Sequence, residues 1–188
     1  LALLKKKLEE AKANNTLPKI VIPVHLAGSS VDMESIHHLS LIYNFKIIED
    51  ASHAIGGFYK GHPVGSCKYS DITIFSFHPV KIITSAEGGA ALTNSAELAL
   101  AMQQLRSHGI TKEPSRFTIH PDVPWKYEQQ SLGFNYRLTD IQAALGLSQL
   151  KKLDDFVKRV ELSPQEQGGA SREQRDRHDR CLILSAEG

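Results

Sequence analysis

The chain has 188 residues, 41% hydrophobic, 23% charged and 7% aromatic, a length and composition that suit one globular domain or part of a larger one. Its 22 basic and 21 acidic side chains leave a formal charge of +1, so no strong field draws it to nucleic acid or to an anionic membrane. Two cysteines, Cys67 and Cys181, make no disulfide framework, and no apolar run is long enough to span a bilayer; secreted, membrane and fibrous classes are disfavoured and a cytoplasmic location is expected.

In chain order, Leu1–Asn14 carries apolar residues at helical spacing: Leu1, Leu3, Leu4, Leu8 and Ala11. Lys19–Val24 reads as a short, β-branched, buried strand. Asp32–Tyr43 returns to helical period, with Asp32 as N-cap and Met33, Ile36, Leu39 and Ile42 on one face. Phe45–Ile48 is a second buried strand, ending on Glu49-Asp50. Strand, helix and strand at this spacing predict a βαβ unit with parallel strands. Glycines and Pro63 then punctuate a loop or short hairpin, and Asp71–Phe77 and Gly88–Thr93 read as further strands. A helix over Ser95–His108 is capped by Ser95 and closed by Gly109. The proline-rich stretch Thr111–Ser131 is a connector, and Thr139–Leu162 reads as one long helix. Beyond Ser163 the composition turns polar and Arg-rich, predicting a disordered or weakly ordered tail; the closing CLILSAEG is too short to fold alone.

Ligands of open α/β sheets bind beyond the carboxyl ends of the strands. Asp50 follows one such strand, while Ser76 and, five residues on, Lys81 follow another. A carboxylate, a hydroxyl and an amine in one crevice suit a cofactor with a basic ring nitrogen, a phosphate and an aldehyde, which describes pyridoxal phosphate (PLP). Each element alone has a plainer reading: a strand-end Glu-Asp is often a surface pair, a loop lysine a solvated charge, and Ser76 the polar face of a strand. The nine histidines fall into no metal-ligand spacing, and no metal is expected.

The strings IIEDASHAIGGFYKGHPVGS, SDITIFSFHPVKIITSAEGGAALTN and LGFNYRLTDIQAALGLSQLKKL, in that order, resemble the DegT/StrS family of PLP-dependent sugar aminotransferases, over about Lys19 to Arg159. The resemblance implies an α/β fold: the large-domain core of a fold-type I PLP-dependent transferase, a mainly parallel sheet flanked by helices, here incomplete. It implies transfer of an amino group from an amino acid, typically glutamate, to a nucleotide-linked 4-keto-6-deoxy sugar. By the same resemblance Lys81 is the Schiff-base lysine and catalytic residue, Asp50 the partner of the pyridine nitrogen, His53 a contact to the cofactor ring oxygen and Ser76 a phosphate ligand. Asn135 would reach the phosphate of a neighbouring subunit's cofactor, implying a homodimer with shared active sites, and His78 and Arg137 would lie near the nucleotide-sugar. A branch of the family replaces the lysine with His and dehydrates; Lys81 favours transamination. His25 lies in a family signature but receives no role.

The family's chains are longer. An N-terminal segment whose helix start binds the cofactor phosphate, and a C-terminal small domain, are expected to be missing here. The implied organisation is a partial PLP-binding large domain over residues 1–162 and an off-family tail over residues 163–188. Two rivals remain: a Rossmann-type nucleotide binder, disfavoured because HLAGSSVD holds only Gly28 where a Gly-rich turn is needed, and a non-catalytic truncated relative.

Overall fold

The computed structural model describes the chain except residues 120–122, 124, 167–180 and 183–188, and gives only the backbone for 160–166 and 181–182. It divides into two compact units, Leu1–Asn94 with Asp140–Gly188, and Ser95–Thr139.

The first unit begins with α1 (Ala2–Ala13), then β1 (Ile20–Pro23), α2 (Met33–Tyr43) and β2 (Lys46–Asp50). A hairpin of β3 (Phe58–Tyr59) and β4 (His62–Pro63) precedes β5 (Ile72–Ser76) and β6 (Gly89–Leu92). The sheet has five strands, in the order β6-β5-β2-β1 with Cys181–Leu182 at the edge beside β1; the pairs β1/β2 and β2/β5 are parallel, and β5/β6 and the edge pair are antiparallel. The βαβ unit is therefore as the spacing predicts. Asp32 caps α2 by accepting from the Ser35 N–H at 3.3 Å, and it also accepts from the Tyr59 hydroxyl at 2.7 Å. The helix stops at Asn44, whose left-handed backbone (φ 56°) suits an asparagine better than most residues.

Alternation along the strands sorts the sheet into two faces. Val21, Ile47, Thr73 and Phe75 are buried on one face. There Leu4 and Leu8 of α1 and Met33, Ile36, Leu39 and Tyr43 of α2 pack with Val21 and Ile47 into the main core. Each such side chain contributes about 1.5–3 kcal/mol on burial. Ile42, placed by its spacing on the inner face, is exposed, and Tyr43 is buried in its stead. The other face is more open: Ile20 and Ile74 are 42% and 40% exposed.

The single helix expected over Thr139–Leu162 is two, α4 (Asp140–Leu150) and α5 (Leu153–Glu166), separated by a turn at Lys151-Lys152. The apolar spacing runs across the break, which is why periodicity alone merged them. Val157 of α5 packs close to Gly56, where an added Cβ would lie 2.7 Å from its Cγ2. Of the polar tail, Cys181–Leu182 forms a strand antiparallel to β1, whereas residues 167–180 and 183–188 lie outside the described residues.

The second unit holds α3 (Ala96–Arg106), capped by the Ser95 side chain accepting from the Leu98 N–H at 3.3 Å. The expected connector contains a small antiparallel pair, β7 (Ile110–Thr111) with β8 (Glu128–Gln129).

Candidate functional site

Polar groups gather where β2 and β5 end. Parallel pairing sets Asp50 opposite Ile74, so Ser76, two residues further on, shares the face of Asp50. Asp50 is fixed from both sides: its carbonyl accepts the His25 N–H at 3.0 Å, and the next N–H, of Ala51, donates to the Ile74 carbonyl at 2.9 Å. Its carboxylate accepts the Ser52 N–H at 3.1 Å, a local turn that orients the half-buried side chain. His53 is exposed and accepts the Ala27 N–H on Nδ1 at 3.3 Å, tying the turn after β2 to the turn after β1. That approach needs Gly28: its φ is +84°, and a Cβ there would lie 3.1 Å from the His53 carbonyl oxygen.

After β5 the chain makes a loop clamped at its base. The Phe77 N–H donates to the Gly88 carbonyl at 2.8 Å, and the Phe77 carbonyl accepts from the Ser85 N–H and the Thr84 hydroxyl, each at 3.0 Å. Fully buried Ser85 donates to the Glu87 carbonyl at 2.9 Å. Lys81 lies within this loop, half-buried, its N–H donating to the His78 carbonyl at 3.0 Å. Its amine has no hydrogen-bond or ion-pair partner among the described residues. His78 is exposed, with Nε2 3.9 Å from the Glu87 carboxylate. The structure thus brings Asp50, His53, Ser76, His78 and Lys81 to one end of one sheet.

Asn135 and Arg137 belong to the second unit, where both are exposed. Their segment runs beside the end of α3: the Phe134 N–H donates to the Leu105 carbonyl at 2.6 Å and the Tyr136 N–H to that of Arg106 at 2.9 Å. The Phe134 and Tyr136 rings stack with centroids 4.8 Å apart.

On the buried face of β2, next to Asp50 in sequence, lies a polar group that sequence reasoning did not single out. Glu49, 6% exposed, accepts from the His25 ring Nε2 at 2.9 Å, from the Thr73 hydroxyl at 3.1 Å and from the Ser70 hydroxyl. The Val31 N–H donates to His25 Nδ1 at 3.4 Å, which puts the ring proton on Nε2, facing Glu49. Burial pushes the Glu49 carboxyl up, but the hydrogen bonds from His25, Ser70 and Thr73 outweigh it and hold it below the ordinary glutamate value. The signal was in KIIED: alternation puts Glu49 on the face of Ile47, where a carboxylate must find donors. An open groove of about 510 Å³ between α1 and α2, lined by Lys5, Glu34, His38 and Ile42 among others, holds none of these residues.

A sheet parallel at its centre, with polar groups at the carboxyl ends of adjacent strands and a lysine-bearing loop beyond them, fits the core of a fold-type I aminotransferase large domain. Residues 1–163 match the profile of the DegT/DnrJ/EryC1/StrS aminotransferase family, and the chain belongs to that family. It is 46% identical over 160 residues to the UDP-4-amino-4,6-dideoxy-N-acetyl-beta-L-altrosamine transaminase of Campylobacter jejuni, an alignment covering 84% of this chain and 40% of that one. Among solved structures, the Helicobacter pylori aminotransferase PseC, described as involved in pseudoaminic acid biosynthesis, is 41% identical with a TM-score of 0.63, over 71% of this chain and 33% of its own. Spr1654 of Streptococcus pneumoniae, solved in its PLP form, is 33% identical with a TM-score of 0.57, over 73% of this chain and 37% of its own. The chain spans about two-fifths of the length of the curated relatives it matches. Among the described residues no helix is long and apolar enough to cross a membrane.

Proposed function

We propose that this chain forms the cofactor-holding core of a PLP-dependent aminotransferase that moves an amino group from an amino acid, glutamate in the first instance, to a nucleotide-linked 4-keto-6-deoxy sugar of the kind used in pseudaminic acid biosynthesis. The observation that carries the reading is the register of β2 against β5, which sets Asp50 and Ser76 on one open face ahead of the loop that bears Lys81. This donor set fits PLP: a carboxylate for a protonated ring nitrogen, a hydroxyl for a phosphate and an amine for an aldehyde. When bound, PLP supplies an electron-withdrawing ring that stabilises negative charge at the donor's α-carbon. Asp50 holds the proton on the ring nitrogen by accepting its hydrogen bond. Ser76 donates to a phosphate oxygen, and His53 borders the ring oxygen. Lys81 would hold the cofactor through its aldehyde carbon, with loss of water, and its amine, when free, would be the base for the donor's α-proton and the acid that returns it across the nitrogen. His78 and Arg137 belong with the nucleotide-sugar, and Asn135 with the cofactor phosphate of a second copy, which makes the working form a homodimer with shared sites. The scarcity of cysteine and the absence of a disulfide framework support a cytoplasmic location.

Borohydride reduction of the chain after incubation with PLP tests this directly. Mass spectrometry of peptides is expected to find the cofactor on Lys81, and none after Lys81→Ala in a protein of unchanged circular dichroism. No incorporation, or incorporation spread over surface lysines, would favour a non-catalytic relative instead.

A further inference from the structure

The buried polar layer beneath β2 takes no part in the chemistry above, yet one of its members grips the site. His25, fully buried at the end of β1, holds two consecutive residues of β2 from opposite directions: its ring bonds the Glu49 carboxylate at 2.9 Å, and its backbone N–H bonds the Asp50 carbonyl at 3.0 Å. Glu49 is fastened in turn to Ser70, before β5, and to Thr73, within it. Three segments of the sheet thus converge on the residue that precedes Asp50. A buried carboxylate forfeits its hydration before its donors compensate, and an apolar side chain would pack there at no such cost. Cohesion of the core therefore does not account for it, whereas fixing one strand end does.

We infer that His25 and Glu49 are a positioning couple for Asp50: together they set the backbone from which the Asp50 carboxylate reaches the ring nitrogen of the cofactor. The inference rests on the cofactor reading for what Asp50 serves, though not for the couple's hold on Asp50. Neither His25 nor Glu49 touches the cofactor, so their influence on it must pass through Asp50. It follows that removing the couple weakens PLP binding only while Asp50 is present.

The test is a double-mutant cycle on the PLP dissociation constant, measured by fluorescence quenching with the purified chain. His25→Leu and Thr73→Val are each made with Asp50 intact and with Asp50→Ala. With Asp50 intact, His25→Leu should weaken PLP about tenfold and Thr73→Val about threefold; on Asp50→Ala both should change it less than about twofold. Thr73→Val preserves shape and carries the same comparison should His25→Leu fail to fold. A second readout needs no cofactor: hydrogen exchange of the Ser52 amide, which is bonded to the Asp50 carboxylate, should quicken in both variants while amides of α3 keep their rates. Equal losses of PLP affinity on both backgrounds would reduce the couple to general packing and overturn the inference, as would unchanged Ser52 exchange. If Asp50→Ala alone leaves PLP affinity intact, the cofactor reading of Asp50 fails, and Ser52 exchange still decides whether the couple positions its carboxylate.

Discussion

Glu49 and Asp50 are adjacent carboxylates with opposite surroundings. Glu49 points into the face covered by α1 and α2 and has three side-chain donors; Asp50 sits on the more open face with one backbone donor. A strand that alternates sends neighbouring residues to environments that differ in water, charge and freedom. The buried carboxylate is committed to its donors and unavailable for chemistry, whereas the open one keeps acceptor capacity for a ligand. A reactive group has to be under-satisfied by its own protein, and only the open face permits that without a large penalty.

Exchanging each carboxylate for its amide gives the largest expected contrast. Glu49→Gln keeps one oxygen for His25 Nε2–H but sets an NH2 where the Ser70 and Thr73 hydroxyls donate, and it should cost about 2–4 kcal/mol in urea unfolding. Asp50→Asn keeps an oxygen for the Ser52 N–H and should move stability by less than about 0.5 kcal/mol. Similar costs at the two positions would abolish the distinction between the faces.

The second unit offers a contrast of another kind, since its close packing is backbone against backbone. Gly109 has φ +68°, and a Cβ built there would lie 2.0 Å from the Ser131 carbonyl oxygen. Gly109→Ala should therefore destabilise this unit by about 2–3 kcal/mol. Hydrogen exchange in α3 should rise while β1, β2 and β5 stay protected. Loss of protection across both units would show that they unfold together.

The elements of the first unit were legible because period and punctuation agreed: KIVIPV and FKII could only be short buried strands, and Asp32 before a helical stripe fixed the start of α2. Placing Asp50, Ser76 and Lys81 at one end of a sheet followed from the rule that ligands sit beyond the carboxyl ends of parallel strands. The break at Lys151-Lys152 was not legible, because an apolar stripe does not report the hydrogen bonds beneath it. The role of His25 was also hidden: a bond between residues 24 positions apart exists only once β1 and β2 are paired in register.

The lowered pKa of Glu49 ties the buried face to pH. The stabilisation from its bonded, ionised form is complete above the ordinary glutamate value and is lost as pH falls through the lowered folded one. Thermal unfolding should show an acid limb in the native chain as pH falls below the ordinary glutamate value. The limb should be shallower in Glu49→Gln, which has no carboxyl to protonate. An identical limb in both proteins would place the acid sensitivity elsewhere, for instance at Asp32, whose carboxyl the Ser35 hydroxyl also lowers.

The smallest effect belongs to the outermost charge of β2. Lys46 lies 3.0 Å from Asp71, with side chains 73% and 30% exposed, so water screens the attraction and the lysine forfeits rotamer freedom to make it. Lys46→Ala should cost less than about 0.5 kcal/mol, and about 1 M salt should erase that cost. Asp71 is different, because its other carboxylate oxygen accepts the Ile47 N–H at 2.9 Å and helps hold the start of the strand. Asp71→Ala should accordingly cost about 1–2 kcal/mol, and salt should leave most of it in place. Urea unfolding of the two variants at low and high salt separates the contributions. If Lys46→Ala proves as costly as Asp71→Ala, the ion pair rather than the backbone bond anchors this end of β2, and the exposed rim would matter to the fold as much as the buried layer beneath it.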